Sequence, residues 1–380
     1  MYDKIKCRNE GDIMLKLFEV SGFKNFKDKL TIDFSDVRDY KFNNQCVSNG
    51  LLSKVIVYGK NSVGKTNLGL AIFDIVSHLT TGDADLNLYK YYLNGEDRAE
   101  DVASFRYQFD FSGSIIDYQY EKDYKRRLFN ERLYLDGELL FDYCSPFHRF
   151  KYNDGLKNLV PTLNLEYIDS NSLLKYVMNN SSLSKDHPLR KMMIYVSNML
   201  WFRSLNENQY IGYKNKNDDY HDFIFKGNAL HEFEAFLNKT GVNKRLIAKR
   251  DADGVKRLYF DTKRPLPFFV TASSGTKALY TFFYWYKTAK DVSLMFIDEF
   301  DAFYHFELAE TIVSLLEKMN NTQVILTSHN TNLLSNKIMR PDCYFIMTDG
   351  KITSFANATT RELREGHNLE KLYMSGEFNE

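Results

Sequence analysis

The chain has 380 residues, 44% of them hydrophobic and 26% charged, which is more than one average domain and enough to bury a sizeable core. Lys and Arg number 50, as do Asp and Glu, so the formal net charge is zero; this excludes a strongly basic nucleic-acid coat, though not a local basic patch. No apolar run reaches the roughly 18 residues of a membrane span, and Cys7, Cys46, Cys144 and Cys343 are scattered without C-x-x-C spacing, so neither a zinc site nor a disulfide framework is expected.

In chain order, residues 1–12 are polar and expected to be loose, with no apolar signal-peptide region. Residues 14–20 read as a strand, and 30–34 as a second with strict alternation. Residues 54–58 form a short apolar strand that runs into a glycine loop, and 67–79 carry helical periodicity. Phe105, Tyr107, Phe109 and Phe111 alternate with polar residues, as in a half-buried antiparallel strand. Residues 133–135 and 139–141 flank Asp136-Gly137, a hairpin turn signal. Residues 150–240 are Asn-rich and aromatic, with helical stretches at 189–205 and 229–237, and read as a helical insertion or lid. From Leu258 the β/α pattern returns and lasts to about Ser354. The expected division is an N-terminal lobe over 13–149, an insertion over 150–245 and a C-terminal lobe over 246–380.

Four segments carry chemistry. Gly59-Lys60-Asn61-Ser62-Val63-Gly64-Lys65-Thr66 fits G-x-x-x-x-G-K-[ST] at every position, with a strand before it and a helix opening at Asn67. The glycines let backbone N–H groups close around phosphates at a helix N-terminus. Lys65 would then reach the β and γ phosphates, and Thr66 would ligate Mg²⁺. Residues 293–297 form an apolar strand ending in Asp298-Glu299. Asp298 would hold Mg²⁺ through its water shell and Glu299 would act as general base toward water; the plainer alternative is an acidic pair capping the next helix. Between these lies Ser273-Ser274-Gly275-Thr276-Lys277, opening an apolar helix. It offers a hydroxyl and free N–H groups at a helix start, against the alternative of an ordinary serine cap. Finally, residues 323–326 lead into Thr327-Ser328-His329, which places a histidine just past a strand end.

In this order the segments resemble the ABC-type AAA ATPases related to the SMC and RecF proteins, and within them the RloA/AbiL and OLD-like ATPases of bacterial phage defence. Ser273 and Gly275 match the LSGGQ signature, while Ala272, Ser274 and Thr276 depart from it. The start Phe23-Lys24-Asn25-Phe26, the segment from Ile297 to His305 and Arg340-Pro341-Asp342 are similar to elements of these families.

The resemblance implies an α/β fold: an ABC-type P-loop ATPase head with a mixed sheet core, an antiparallel β subdomain and a helical insertion. It implies ATP and Mg²⁺ held between two copies of the chain. One copy would supply residues 59–67, Asn25, Asp298, Glu299 and the switch histidine His329; the other would supply Ser273, Ser274 and Gly275. Gln108 and Gln119 are the candidates for the family's Q-loop glutamine. The sequence leaves no room for the Toprim nuclease of OLD proteins after the last ATPase strand, so a nuclease role is not carried over. His148, His187, His221, His231 and His305 lack partners at metal or nucleophile spacing and read as structural.

The implied role is a cytoplasmic defence ATPase, a homodimer or higher oligomer, that controls a separate effector such as a nuclease or other toxin. A RecF-like ATPase that binds DNA, and a nucleotide-gated scaffold with little turnover, are the rival readings. Two basic clusters, Lys122 with Lys125, Arg126 and Arg127, and Lys244 with Arg245, Lys249 and Arg250, are candidate nucleic-acid contacts or simply solvated faces.

Overall fold

A computed structural model describes residues 13–80, 87–96, 101–111, 113–147, 149–161, 172–204, 208–213 and 219–378. Residues 1–12, with Cys7, and His148 lie outside them.

Two seven-stranded sheets organise the described residues. The first is antiparallel, in the order Arg149–Tyr152, Glu138–Cys144, Leu128–Leu135, Ser114–Lys122, Ala103–Phe111, Met14–Ser21 and Leu30–Asp33. Its strands alternate as half-buried strands do: every odd residue from Ala103 to Phe111 is buried. The hairpin turn at Asp136-Gly137 has positive φ at both residues, 51° and 84°, as a two-residue turn requires.

The second sheet runs Tyr210–Gly212, Leu200–Arg203, Leu294–Asp298, Gln323–Ser328, Lys54–Tyr58, Tyr344–Thr348 and Lys351–Ser354. Its inner pairings are parallel and its two outer ones antiparallel. Lys54–Tyr58, Leu294–Asp298 and Gln323–Ser328 are buried at every residue, which explains their unbroken apolar runs.

The helix Lys65–Leu79 lies between the two sheets and is buried along most of its length. Toward the parallel sheet, a β-carbon on Gly69 would come within 2.7 Å of the Phe296 ring and the Trp201 indole, so only glycine permits this approach. Toward the antiparallel sheet, the hydroxyl of Tyr107 donates to the Ala71 carbonyl at 2.9 Å. Asp74 pairs with Lys122 at 2.5 Å and accepts from the hydroxyls of Tyr92 and Tyr120, both at 2.8 Å. The register of Met14–Ser21 against Ala103–Phe111 shifts at a β-bulge directly after Leu15. The Gln323 amide takes up its N–H and its carbonyl, and also meets the Leu52 carbonyl and the Tyr195 hydroxyl.

Residues 189–205 are not one helical stretch: a helix covers Pro188–Ser197 and a strand covers Leu200–Arg203. The insertion is therefore not purely helical, because Leu200–Arg203 pairs in parallel with Leu294–Asp298 and extends the central sheet. The run Leu200-Trp201-Phe202 is buried on both faces, and an apolar run of that kind reads equally as helix or strand. Lys122 does not belong to a basic surface: it is 4% exposed and bound to Asp74.

Candidate nucleotide site

The strand Lys54–Tyr58 delivers the chain into the glycine loop, and the helix Lys65–Leu79 leaves it. Gly64 has φ +103° and no side chain caps the helix start, so its first N–H groups stay free for an anion. Lys65 is 6% exposed, and its Nζ donates to the carbonyls of Gly59 at 2.6 Å and Lys60 at 3.0 Å. Burial lowers the Lys65 pKa, while the carboxylates of Glu299, Asp298 and Asp301 pull it back up.

The strand end at Asp298 lies opposite this loop. Asp298 is fully buried. Its Oδ1 accepts from the Thr327 hydroxyl at 2.9 Å, and its Oδ2 accepts from the Thr66 hydroxyl at 2.8 Å. Oxygen donors from Thr66 and Asp298 thus converge, a hard donor pair suited to Mg²⁺.

Glu299 follows in the left-handed region, with φ 50°, a conformation that a residue with a β-carbon adopts only at a cost. Its N–H donates to Thr327 Oγ1 at 2.7 Å, while its buried Oε2 has no hydrogen-bond partner. The turn therefore aims an unpartnered carboxylate oxygen from the end of the Asp298 strand. A cavity of about 510 Å³ is lined by Asn61, Ser62, Gly64, Lys65, Thr66, Asn67, Glu299, Ala302 and His329. Phosphate-facing, base and switch candidates from three separate segments thus share one space.

Asn25 does not line this cavity. It braces the loop from behind, donating to the Val63 carbonyl at 3.1 Å and accepting from the Asn67 amide at 2.7 Å. Ser273, Ser274 and Gly275 are also outside it. Ser273 caps the helix Ser274–Thr288, accepting from Thr276 N–H at 3.2 Å, and both serines are exposed. Gly275 packs on the segment after Glu299: a β-carbon there would lie 3.0 Å from the Phe303 carbonyl.

Gln108 and Gln119 are not at the site. Both amides donate to Asp117 on the antiparallel sheet, where Arg106 also binds. The residue that does reach Thr66 and Asp298 is Arg203, which the sequence did not single out. Its Nη2 donates to Thr66 Oγ1 at 3.1 Å and its Nε lies 3.2 Å from Asp298 Oδ2. Asp301 was likewise not assigned a role. It is buried, accepts from the Ser328 hydroxyl at 2.7 Å, and burial pushes its carboxyl above the usual range.

Residues 54–335 match the family model described as "AAA domain, putative AbiEii toxin, Type IV TA system". No curated protein matches the chain. Among solved structures it is similar to an SMC head bound to the C-winged helix domain of ScpA, at 14% identity over 90% of this chain and 97% of that one, with TM-score 0.43. It is also similar to the SMC head domain from Thermotoga maritima, at 16% identity over 90% and 98%, with TM-score 0.41. A third similar structure is the recombination mediator RecF with ATP, at 13% identity over 90% and 99%, with TM-score 0.39. The family match takes in the glycine loop, Ser273 to Gly275, Asp298-Glu299 and His329. It covers well over half of the chain, which belongs to this family of AAA ATPase domains.

Proposed function

We propose that the chain is a Mg²⁺-dependent ATP hydrolase that closes as a nucleotide-sandwich dimer and regulates a separate effector protein in bacterial phage defence. The observation that carries the chemistry is the shared cavity of Lys65, Thr66, Glu299 and His329, with Glu299 Oε2 unpartnered beside it.

In this reading Lys65 exchanges the Gly59 and Lys60 carbonyls for the β and γ phosphate oxygens of ATP. Thr66 would ligate Mg²⁺ and Asp298 would hold it through its water shell, and the ion would draw negative charge off the phosphate oxygens. Glu299 takes a proton from water as its oxygen attacks the γ phosphorus and the bond from that phosphorus to the β–γ bridging oxygen breaks, leaving ADP and phosphate. His329 lines the same space and is exposed, so it is free to contact the γ phosphate. The exposed Ser273 and Ser274, standing away from the cavity, suit contact with nucleotide on a second copy. The family description, which names a toxin–antitoxin system, supports a defence role. No helix among the described residues is long and apolar enough to cross a membrane.

The test is ATP turnover by the purified chain with and without Mg²⁺, beside light scattering with and without ATP. Mg²⁺-dependent phosphate release with ATP-dependent growth in mass is expected. Turnover that ignores Mg²⁺, or its absence under all conditions, would overturn the enzymatic reading. Pull-down from cells that carry the neighbouring genes tests the effector.

A further inference from the structure

Resting on that reading, we propose that Arg203 is a tethered cation that competes with Mg²⁺ for Thr66 and Asp298, so that metal entry is coupled to displacement of its side chain.

The placement is built by the sheet. Arg203 ends the strand Leu200–Arg203 and sits in parallel register with Asp298. Its backbone is fixed there: its N–H donates to the Gln209 carbonyl at 3.2 Å, and Ser204 N–H reaches the Asp298 carbonyl at 3.4 Å. The guanidinium projects onto the two groups whose oxygens would hold the metal. Asp298 Oδ1 is occupied by Thr327, so Oδ2 is the oxygen that Thr66 and Arg203 share.

The contact has the character of a place-holder. A fully buried carboxylate is costly without a cation, and Arg203 supplies one. Yet Nε approaches Oδ2 without hydrogen-bond alignment, so this grip is electrostatic rather than directed. The Arg203 side chain keeps 23% of its surface exposed against none for Asp298, so an exit exists on the side of the cation. Its charge cannot be lost by deprotonation. A divalent ion held at Oδ2 through its water shell would therefore still face a full positive charge close by until the guanidinium moves. A displaced guanidinium is a fork donor suited to phosphate oxygens, and ATP brings those with the metal. The nucleotide-free chain would thus resist metal alone and accept metal together with nucleotide.

The experiment uses the full chain, with Mn²⁺ as the probe of the metal position. Mn²⁺ binding is followed by electron paramagnetic resonance without nucleotide in the wild type, Arg203→Met, Arg203→Lys and the double variant Arg203→Met with Asp298→Asn. Arg203→Met should bind Mn²⁺ about tenfold more tightly than the wild type once the like charge is gone, and the double variant should lose that gain. Arg203→Lys, which keeps the charge but not the fork, should fall between them. Equal or weaker Mn²⁺ binding by folded Arg203→Met would overturn the proposal. If Arg203→Met does not fold, wild-type affinity in Arg203→Lys would do so. A second arm measures binding of a non-hydrolysable ATP analogue against Mg²⁺ concentration, where the half-saturating Mg²⁺ should drop several-fold in Arg203→Met. Failure of every protein to bind the analogue would sink the ATP reading, while the Mn²⁺ arm would still decide the role of Arg203.

Discussion

The side-chain amide of Asn25 fills the space in which a β-carbon of Gly64 would stand: such an atom would lie 2.3 Å from Asn25 Nδ2. The glycine loop is thus shaped from two sides, by its own backbone and by a residue from the N-terminal segment. Gly64→Ala should abolish nucleotide binding, since it meets both that clash and the strain of φ +103°. Asn25→Ala removes the two bonds to Val63 and Asn67 and should weaken ATP about fivefold, the equivalent of one net hydrogen bond of roughly 1 kcal/mol. Fluorescent-nucleotide titration measures both, and wild-type affinity in Gly64→Ala would rule out this loop geometry.

Lys65→Ala should lose nucleotide binding altogether. The buried ammonium satisfies its charge on two loop carbonyls, which it would exchange for phosphate oxygens. Unchanged affinity in the same titration would remove the loop from the site.

Glu299→Gln should keep ATP bound and slow turnover by about a hundredfold or more. The neutral amide fits the same turn but cannot take the proton from water. With the γ phosphate retained, the dimer should persist in ATP, and light scattering should show it. Wild-type turnover would refute Glu299 as base.

The buried pair Asp74–Lys122 ties the helix after the glycine loop to the antiparallel sheet. Lys122→Met should cost about 3–5 kcal/mol in urea unfolding, because it strands a buried carboxylate. Adding Asp74→Asn to it should return part of that loss. Less than about 1 kcal/mol for the single change would show the pair to be unimportant to stability.

His78 makes stability depend on pH. It is stacked on Tyr120 at 4.2 Å, and its Nε2 is buried without a partner. Burial first, then the charges of Lys122 and Lys175, push its pKa well below the usual value. The folded chain keeps it neutral, while the unfolded chain takes a proton below about pH 6.5. Its contribution is therefore present above that pH and is lost as pH falls toward the folded value, at about 1.4 kcal/mol per pH unit. His78→Phe should flatten this part of the profile between pH 5 and 6.5 in thermal or urea unfolding. An unaltered slope would place the effect elsewhere.

What was legible in the sequence was contiguous. Residues 59–66, the apolar strand into Asp298-Glu299 and the strand into His329 each carry their signal within a few neighbours, and the sheet sets the three strand ends side by side. Arg203 could not be read in that way. It reaches Thr66 only because Leu200–Arg203 pairs with a strand far along the chain, and the run before it has no periodicity to distinguish strand from helix. The two glutamines proposed for the Q-loop failed for the matching reason: nothing in their own neighbours tells that they lie on the antiparallel sheet, away from the glycine loop. Lys122 looked like part of a basic surface because its partner Asp74 belongs to another element.

The Gln323 amide has a mechanical consequence. It begins the strand whose end presents His329, and it clasps Leu15 of the antiparallel sheet together with Leu52 and Tyr195. Sliding one layer over the other would break these bonds in the dry interior, where a lost donor or acceptor is not replaced by water. The layers therefore resist shear at that point. A load applied to the antiparallel face is thus passed through this amide to the root of the His329 strand.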